Sequence, residues 1–544
     1  MNVTVEEPQE IHSGDSERSP AAPTPLRTAS TPSAAQGFVQ YATFALCATL
    51  YVLPFLRIVY TRTDEGTLVD GAVRILHGQV FARDFFEVMG PGTLYILAAM
   101  FKLFGATFLV ARVWLFVTSL GTFLAMYFLS SRVCPRYRFL PPVLLVGVYF
   151  STLWPMVNHH VDSNFFALLS VVCIVLWQDV RKRGLLFAAG VLSGVTTCIL
   201  QPKGMLLLLA ILVWLLVQQR RRSAWRSSIA LVATGYVSVV GGTLLYFWSR
   251  GALWDLIYMN FVWPSHNYGA VNTIPYGTGM HQFWSHWAGP IHHAWLSTPV
   301  AVLLIVPFLL VAALPPLVIV LGIPHGKDSL RPEVLLYWLC GWAVWLSEIH
   351  RLDIAHLTSG SPLLLILCIH FLVEYPGKIA DWFLQLLAIG AGALATVNLF
   401  IVLSAHSVPS RVGAVGMFKP DPAIAFLEKH AAAGSEIFAY PWCPMYYFLS
   451  ATTNPTRYSI LLYNYNTPSQ FQDAIKVLDQ HKVKYVIWDT TIETKATPYY
   501  SVAMHLPAGG LLMEPYLEAH YTIVQDVKGL RILERNEDVH ADRR

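Results

Sequence analysis

Charge is what this chain has least of. Of its 544 residues, 13% are charged and 55% are hydrophobic, whereas a soluble domain carries about 25% charged residues. That balance excludes an ordinary water-soluble protein and points to many membrane spans, with length left over for one soluble domain. The net charge is only +4, and the basic residues fall in scattered loops rather than one patch. Nucleic-acid binding is therefore excluded as a partner class. Cysteine supplies no framework either. Cys47, Cys134, Cys173, Cys198, Cys340, Cys368 and Cys443 are dispersed, mostly inside apolar runs, with no C-x-x-C or Cys/His zinc spacing. A free cysteine in a span behaves as a small hydrophobe. There is no glycine-rich phosphate loop, so a nucleotide site is not indicated. No internal repeat is visible.

What is present is apolar sequence in long runs. A spanning helix needs about 20 mostly apolar residues. Eleven candidates fit, at about 38–60, 106–130, 139–157, 161–179, 184–200, 204–219, 227–249, 296–321, 333–349, 354–373 and 380–405. The apolar piece 93–104 is too short to cross and reads as a re-entrant or surface helix. Residues 1–36 are rich in Ser, Pro, Ala, Thr and Glu and read as a disordered cytoplasmic tail. They are not a signal peptide, because the apolar run comes late and no clear cleavage site precedes it.

Basic residues fix an expected orientation. With residues 1–36 in the cytoplasm and the spans alternating, the cytoplasmic loops hold Arg132, Arg136, Arg138, Arg181, Lys182, Arg183, Arg220, Arg221, Arg222, Arg226, Lys327, Arg331 and Lys378. The opposite loops, though longer in total, hold only Arg62, Arg74, Arg83, Lys102, Lys203, Arg250 and Arg351. This is the positive-inside pattern at every loop. An odd number of spans then puts residues 406–544 outside. There the pattern changes to helix over 420–429, strand at 436–440, amphipathic helix over 468–481, strand at 483–488, helix near 509–520, and a hairpin of 521–527 and 530–534 turning at Lys528-Gly529. Alternating helices and strands suggest a small α/β domain.

The unusual polar residues collect on the outer side. Loop 61–92 carries Asp64, Glu65, Asp70, Arg83, Asp84 and Glu87. The next outer turns carry Asn158, His159, His160 and Asp162, then Gln201-Pro202-Lys203-Gly204, and later Glu348, His350, Arg351, Asp353 and His356. Carboxylates are costly to desolvate at a membrane boundary and usually have a functional reason. Other readings stand beside this one. Thr63 is a candidate N-cap, with Asp64 and Glu65 as favourable first-turn acids. Lys203 and Arg351 are candidates for snorkelling to the interface, but both sit in short outer turns where basic residues are disfavoured, which suits phosphate binding. The histidines read as interfacial or as phosphate hydrogen-bonders. No helical His/Glu spacing supports a metal site, and none is assigned. Trp284, Trp287 and Trp295, in an aromatic loop at about 250–295, read as an interfacial belt.

One segment also carries a resemblance. Asp64-Glu65, then Ala72-Val-Arg-Ile-Leu-His-Gly78, Asp84-Phe-Phe-Glu87, Gly90-Pro91-Gly92 with Tyr95, Lys102-Leu-Phe-Gly105 and Arg112 resemble the first periplasmic loop of GT-C glycosyltransferases. The nearest group is the bacterial aminoarabinose transferases and protein O-mannosyltransferases, including the rhizobial galacturonosyltransferase-like proteins. The resemblance covers about 38–130 and extends more loosely to about 405, through the Gln201-Pro-Lys-Gly204 turn and Arg351-Leu-Asp-Ile-Ala-His356. It implies a GT-C-like domain over 37–405, with catalytic outer loop 61–92 and an extracytoplasmic α/β domain over 406–544. It implies a multi-pass protein of the bacterial cytoplasmic (inner) membrane that uses a polyprenyl-phosphate sugar donor and a lipid, glycan or protein acceptor. Asp64 would be the catalytic base, with Glu65 and Glu87 beside it. Lys203, Arg351 and His356 would hold the donor phosphate, and Asp84, His159, His160 and Asp162 would be substrate contacts. The family's Phe-Glu-Lys-Pro segment is changed here, with Val88 and Met89 after Glu87. No cofactor is implied, although a divalent cation is compatible with the family. The rival classes are a transporter or lipid flippase, and a non-catalytic scaffold or sensor. Charges gathered on one face without a repeat argue against the transporter.

Overall fold

The computed structural model describes residues 34–150, 155–219, 225–266, 276–277, 294–323, 331–375, 377–463, 465–494 and 510–536. The expected tail 1–36 (apart from its last residues), Arg220, Arg221, Arg222, Lys327, Trp284, Trp287 and most of the aromatic loop lie outside them. Residues 1–43 and 44–544 form two separate compact units. The first holds only the opening turns of α1 (Ala34–Val52) among the described elements.

A helix stands at each of the eleven apolar runs. Besides α1 they are α4 (Phe108–Val133), α5 (Leu140–Tyr149), α6 (His159–Val180), α7 (Arg183–Ile199), α8 (Gln201–Gln219), α9 (Trp225–Ser249), α11 (Ala294–Gly322), α12 (Pro332–Leu346), the pair α13 (Ile354–Gly360) and α14 (Pro362–Glu374), and α15 (Lys378–Leu403). The short α10 (Leu253–Ile257) follows α9. Among the described residues, seven helices are long and apolar enough to cross a membrane. The pair α13–α14 makes an eighth if its 73° bend counts within one span. Helices α5, α7 and α12 are shorter than a straight crossing needs. Of the eleven expected spans, seven or eight thus pass by length and composition among the described residues, and the other three are shorter apolar helices. The bend falls at Ser361-Pro362, where proline lacks an N–H and disfavours helix in the residue before it. Helix α11 holds Pro299, Pro307, Pro315 and Pro316, which spanning helices tolerate because neighbouring groups re-satisfy the freed backbone.

Loop 61–92 holds α2 (Asp64–Leu76) and is followed by α3 (Gly92–Phe104). Helix α3 is the short apolar piece expected not to cross. After α15 the chain forms a hairpin of β1 (His406–Val408) and β2 (Val415–Met417). Two short helices, α16 (Pro422–His430) and α17 (Met445–Leu449), flank β3 (Ile437–Tyr440) in the chain. Strand β3 opens a four-stranded sheet in the order β3-β4-β6-β5, with β4 (Tyr485–Asp489), β5 (Tyr521–Val527) and β6 (Leu530–Arg535). Strand β3 runs parallel to β4; β6 is antiparallel to both β4 and β5. Helix α18 (Pro468–Gln480) joins the parallel pair, as parallel strands require a crossover. Its start carries a capping box, with Thr467 and Gln470 exchanging side-chain and backbone bonds.

Two hydrophobic cores result. One lies within the spanning bundle and includes Phe55, Phe123, Leu145, Val171, Trp214 and Leu364. The other is shared. It combines Leu68, Ala72, Phe85, Leu97 and Phe101, from the loop and α3, with Ile437, Tyr447, Val486 and Ile532, from residues after α15. Loop and tail therefore fold as one body. Polar ties agree with this. Arg62 binds Asp489 at 3.1 Å and the Tyr446 hydroxyl at 2.9 Å. Arg74 donates to the Thr456 carbonyl at 3.1 Å, and Phe86 N–H donates to the Arg457 carbonyl at 2.8 Å. Gly66, beside the acid pair, has a further reason to be glycine. A Cβ there would lie 2.2 Å from the backbone nitrogen of Met445, at the start of α17.

Candidate functional site

Each sequence-picked acid in loop 61–92 has its own surroundings. Glu65 is fully buried and forks onto Arg112, with Oε1 to Nη1 at 2.6 Å and Oε2 to Nη2 at 2.7 Å. Its Oε1 also accepts from Val157 N–H at 3.0 Å. Asp70 is buried against Arg74, one helical turn on, at 3.0 Å. Asp84 is gripped by Arg83 at 2.8 Å and accepts from Val80 N–H at 2.7 Å. Its partners all lie in its own turn, so the structure does not bring it to the other candidates. Glu87 is buried, with Oε1 unpartnered. Burial pushes its carboxyl up to about 8, against a smaller opposing bond from Ser459, so it is protonated at neutral pH.

Asp64 differs from these four. It is the first residue of α2 and keeps part of its side chain accessible. Among the described residues it has no ion-pair partner within 4.0 Å, and its side chain accepts from the Thr63 hydroxyl at 3.2 Å. Thr63 does flank the helix as a cap residue, but its hydroxyl bonds Thr61 and Asp64 rather than the helix backbone. Desolvation raises the Asp64 carboxyl above its ordinary range. The charges of Arg351 and, more weakly, His160 oppose that shift. The side chain therefore feels the Arg351 guanidinium, supplied by another turn.

The turns that carry Arg351 and His160 form the second half of the site. Helix α6 starts at a side-chain cap, where Asn158 accepts from His160 N–H at 2.7 Å. Helix α13 starts the same way, with Asp353 accepting from Ala355 N–H at 3.0 Å and His356 N–H at 3.1 Å. These caps set where His160 and His356 point. Their rings stand 4.6 Å apart, nearly perpendicular; His159 stacks on His160 at 4.2 Å, and His350 lies 5.9 Å from His356. Glu348 is buried among them. Its Oε1 meets His160 Nδ1 at 3.1 Å and Lys203 Nζ at 2.8 Å. Burial alone would raise its carboxyl, but His160 and Lys203 outweigh that and hold it well below the usual range. Asp353 is brought to about 2; burial opposes this, and the bond and charge of His356 together with Arg351 prevail.

Lys203 is fully buried, and its ammonium donates to Ser163 Oγ at 3.1 Å and Asn164 Oδ1 at 2.8 Å besides meeting Glu348. Three donors meet three acceptors within the chain, so Lys203 is the counter-ion of Glu348 here. Lys203 stands in the first turn of α8 and reaches Ser163 and Asn164 in the second turn of α6. Arg351 is paired with Asp353 at 2.9 Å but keeps 21% of its side chain accessible. Asp162, expected as a substrate contact, bonds within the chain here. It accepts from Thr93 Oγ1 at 2.7 Å and Trp114 Nε1 at 3.0 Å, which tie α6 to α3 and α4. Sequence reasoning gave no role to Glu348 or Arg112. Nothing in the spacing marks either, since their partners come from distant helices. Spacing in the chain also assigns no metal ligand, yet His160, Glu348 and His356 offer ligand atoms all within 4.8 Å of one another.

No protein-family model and no curated protein matches the chain. The fold has counterparts among solved structures. The crystal structure of ArnT from Cupriavidus metallidurans bound to undecaprenyl phosphate superposes with a TM-score of 0.56 at 11% identity, over 93% of this chain and 99% of that one. The apo state of the same protein gives 0.56 at 12% identity, over 92% and 98%. The chain thus has a fold like that of ArnT over nearly its whole length.

Proposed function

We propose that this protein is an integral membrane glycosyltransferase that moves a sugar from a polyprenyl-phosphate donor to a hydroxyl acceptor outside the cytoplasm, with Asp64 as general base. The observation that carries this reading is elimination within one loop. Glu65, Asp70 and Asp84 are committed to arginines, and Glu87 is protonated. Asp64 alone of the five combines partial accessibility with the lack of an ion pair among the described residues, and burial raises its carboxyl above the ordinary range, the direction that suits a base. The ArnT-like fold supports the donor class, since that protein was crystallised with undecaprenyl phosphate.

The step is direct displacement with inversion. The acceptor oxygen attacks the anomeric carbon, and its proton passes to Asp64. The bond from that carbon to the phosphate oxygen breaks, and the electron pair leaves with the polyprenyl phosphate. Arg351, accessible and electrostatically coupled to Asp64, stabilises the charge gathering on the leaving group. Lys203 acts behind it by fixing Glu348, and Glu65 by fixing the start of α2 through Arg112. The loop carboxylate works outside the spans, while the donor's chain lies among them.

The test is transfer of label from polyprenyl-phosphate sugars by the reconstituted protein. Asp64→Asn should lower turnover by about 10²–10⁴-fold, the usual contribution of a positioned acid or base, with unchanged thermal unfolding. Label transfer that survives the substitution, or lipid movement across the bilayer without transfer, would overturn this reading.

A further inference from the structure

We propose that His160, Glu348 and His356 form a binding site for a zinc-class divalent ion. Three observations converge. First, two imidazoles and one carboxylate, all buried, offer ligand atoms within 4.8 Å of one another. They come from the start of α6, from the turn after α12 and from the first turn of α13, so tertiary folding assembles them. Two histidines and a glutamate are the ligand set of open, four-coordinate zinc sites. Second, Glu348 Oε2 is buried and has no hydrogen-bond partner among the described residues, while Oε1 already receives Lys203 and His160. Buried polar atoms are rarely left unmatched, and an unmatched one calls for an explanation such as an ion. Third, His356 Nδ1 is held by Asp353 at 2.9 Å. A carboxylate on one ring nitrogen is the outer support that fixes a histidine's tautomer and orients its other nitrogen toward a metal.

Lys203 does not close the site, because its ammonium engages Oε1 and leaves Oε2 for the ion. Binding would draw the ligands closer, since atoms about 2.0–2.1 Å from a tetrahedral zinc lie about 3.3 Å apart. Rotation of the His160 ring away from Oε1 supplies that movement. The borderline donor set favours zinc or cobalt over magnesium or calcium, which prefer all-oxygen shells. This geometry is independent of whether the chain transfers sugar.

The full-length protein, purified in detergent and stripped with chelator, would be titrated with Zn²⁺ for metal content and with Co²⁺ for visible absorption. The expected result is about one ion per chain, with the strong visible bands of four-coordinate cobalt. His356→Asn should lower affinity at least tenfold, and Glu348→Gln should do the same. His350→Gln, nearby but outside the trio, should bind as the parent does. Glu348→Gln also strips Lys203 of its partner, so if it fails to fold, His356→Asn decides, with metal-free unfolding as its fold control. Absence of stoichiometric binding by the parent, or unchanged affinity in folded His356→Asn, would overturn the proposal.

Discussion

The two halves of the site solve opposite problems by the same means. In loop 61–92 the surplus is negative. Arg112, Arg74 and Arg83 each take one carboxylate, Glu87 is neutralised by a proton, and Asp64 is left over. In the turns around α6 and α13 the cations and imidazoles are held instead. Glu348 takes Lys203 and His160; Asp353 takes Arg351 and His356. What remains there is the accessible edge of Arg351 and one oxygen of Glu348. A charge that is buried and paired maintains the fold, whereas an accessible or unmatched one is available for chemistry.

The balance fails most visibly at its best-paired member. Arg112→Ala leaves Glu65 charged, buried and alone, which costs about 3–5 kcal/mol. Expected outcomes are poor recovery from membranes and a large fall in unfolding temperature. Arg351→Gln should act on the other half without that loss of stability. Removing one group that stabilises developing charge costs about 10²–10³-fold in turnover, to be read from kcat at saturating donor with unfolding unchanged. A turnover loss no larger than that of Asp84→Asn would remove Arg351 from the phosphate role.

Glu87→Gln distinguishes a carboxyl neutralised by a proton from one neutralised by an arginine. The native carboxyl releases its proton near 8, whereas the unfolded one does so near its ordinary 4.5. Between those values the folded state binds the extra proton. The stability this group contributes is therefore full below about pH 4.5 and declines as pH rises through about 8, by about 1.4 kcal/mol per unit. The difference between parent and Glu87→Gln in unfolding free energy should shrink or reverse over that window. A difference independent of pH would mean that Glu87 is ionised in the fold. The smallest effect is expected at Asp84→Asn, because a partly exposed pair within one turn contributes little. Transfer rate and unfolding temperature should both stay close to the parent's.

Much of this was legible in the chain. Apolar runs placed eleven helices, since periodicity and length survive any tertiary arrangement. After α15, the helices and strands fall within a few residues of their expected places because alternation and turn residues are local signals. The start of α2 at Asp64-Glu65 follows from a local signal in the same way. The contacts of Lys203 with Glu348, Ser163 and Asn164, and of Asp162 with Thr93 and Trp114, were not legible because those partners lie on other helices and turns. The sharing of a core between loop and tail was invisible too. Leu68 and Ile437 are unremarkable apart, and no local pattern pairs Arg62 with Asp489 or Gly66 with Met445.

The sequence by itself determined the membrane class, the order of elements and the set of polar residues from which a site could be built. These depend on hydropathy and backbone preference, which act over a few residues. Tertiary structure decided which charges cancel. Electrostatic attraction depends on distance and burial, and both are set by helices far apart in the chain. Only the fold could put Arg112 on Glu65 and Lys203 on Glu348, and so leave Asp64 without an ion pair and one oxygen of Glu348 without a hydrogen bond among the described residues, with Arg351 paired to Asp353 but partly accessible.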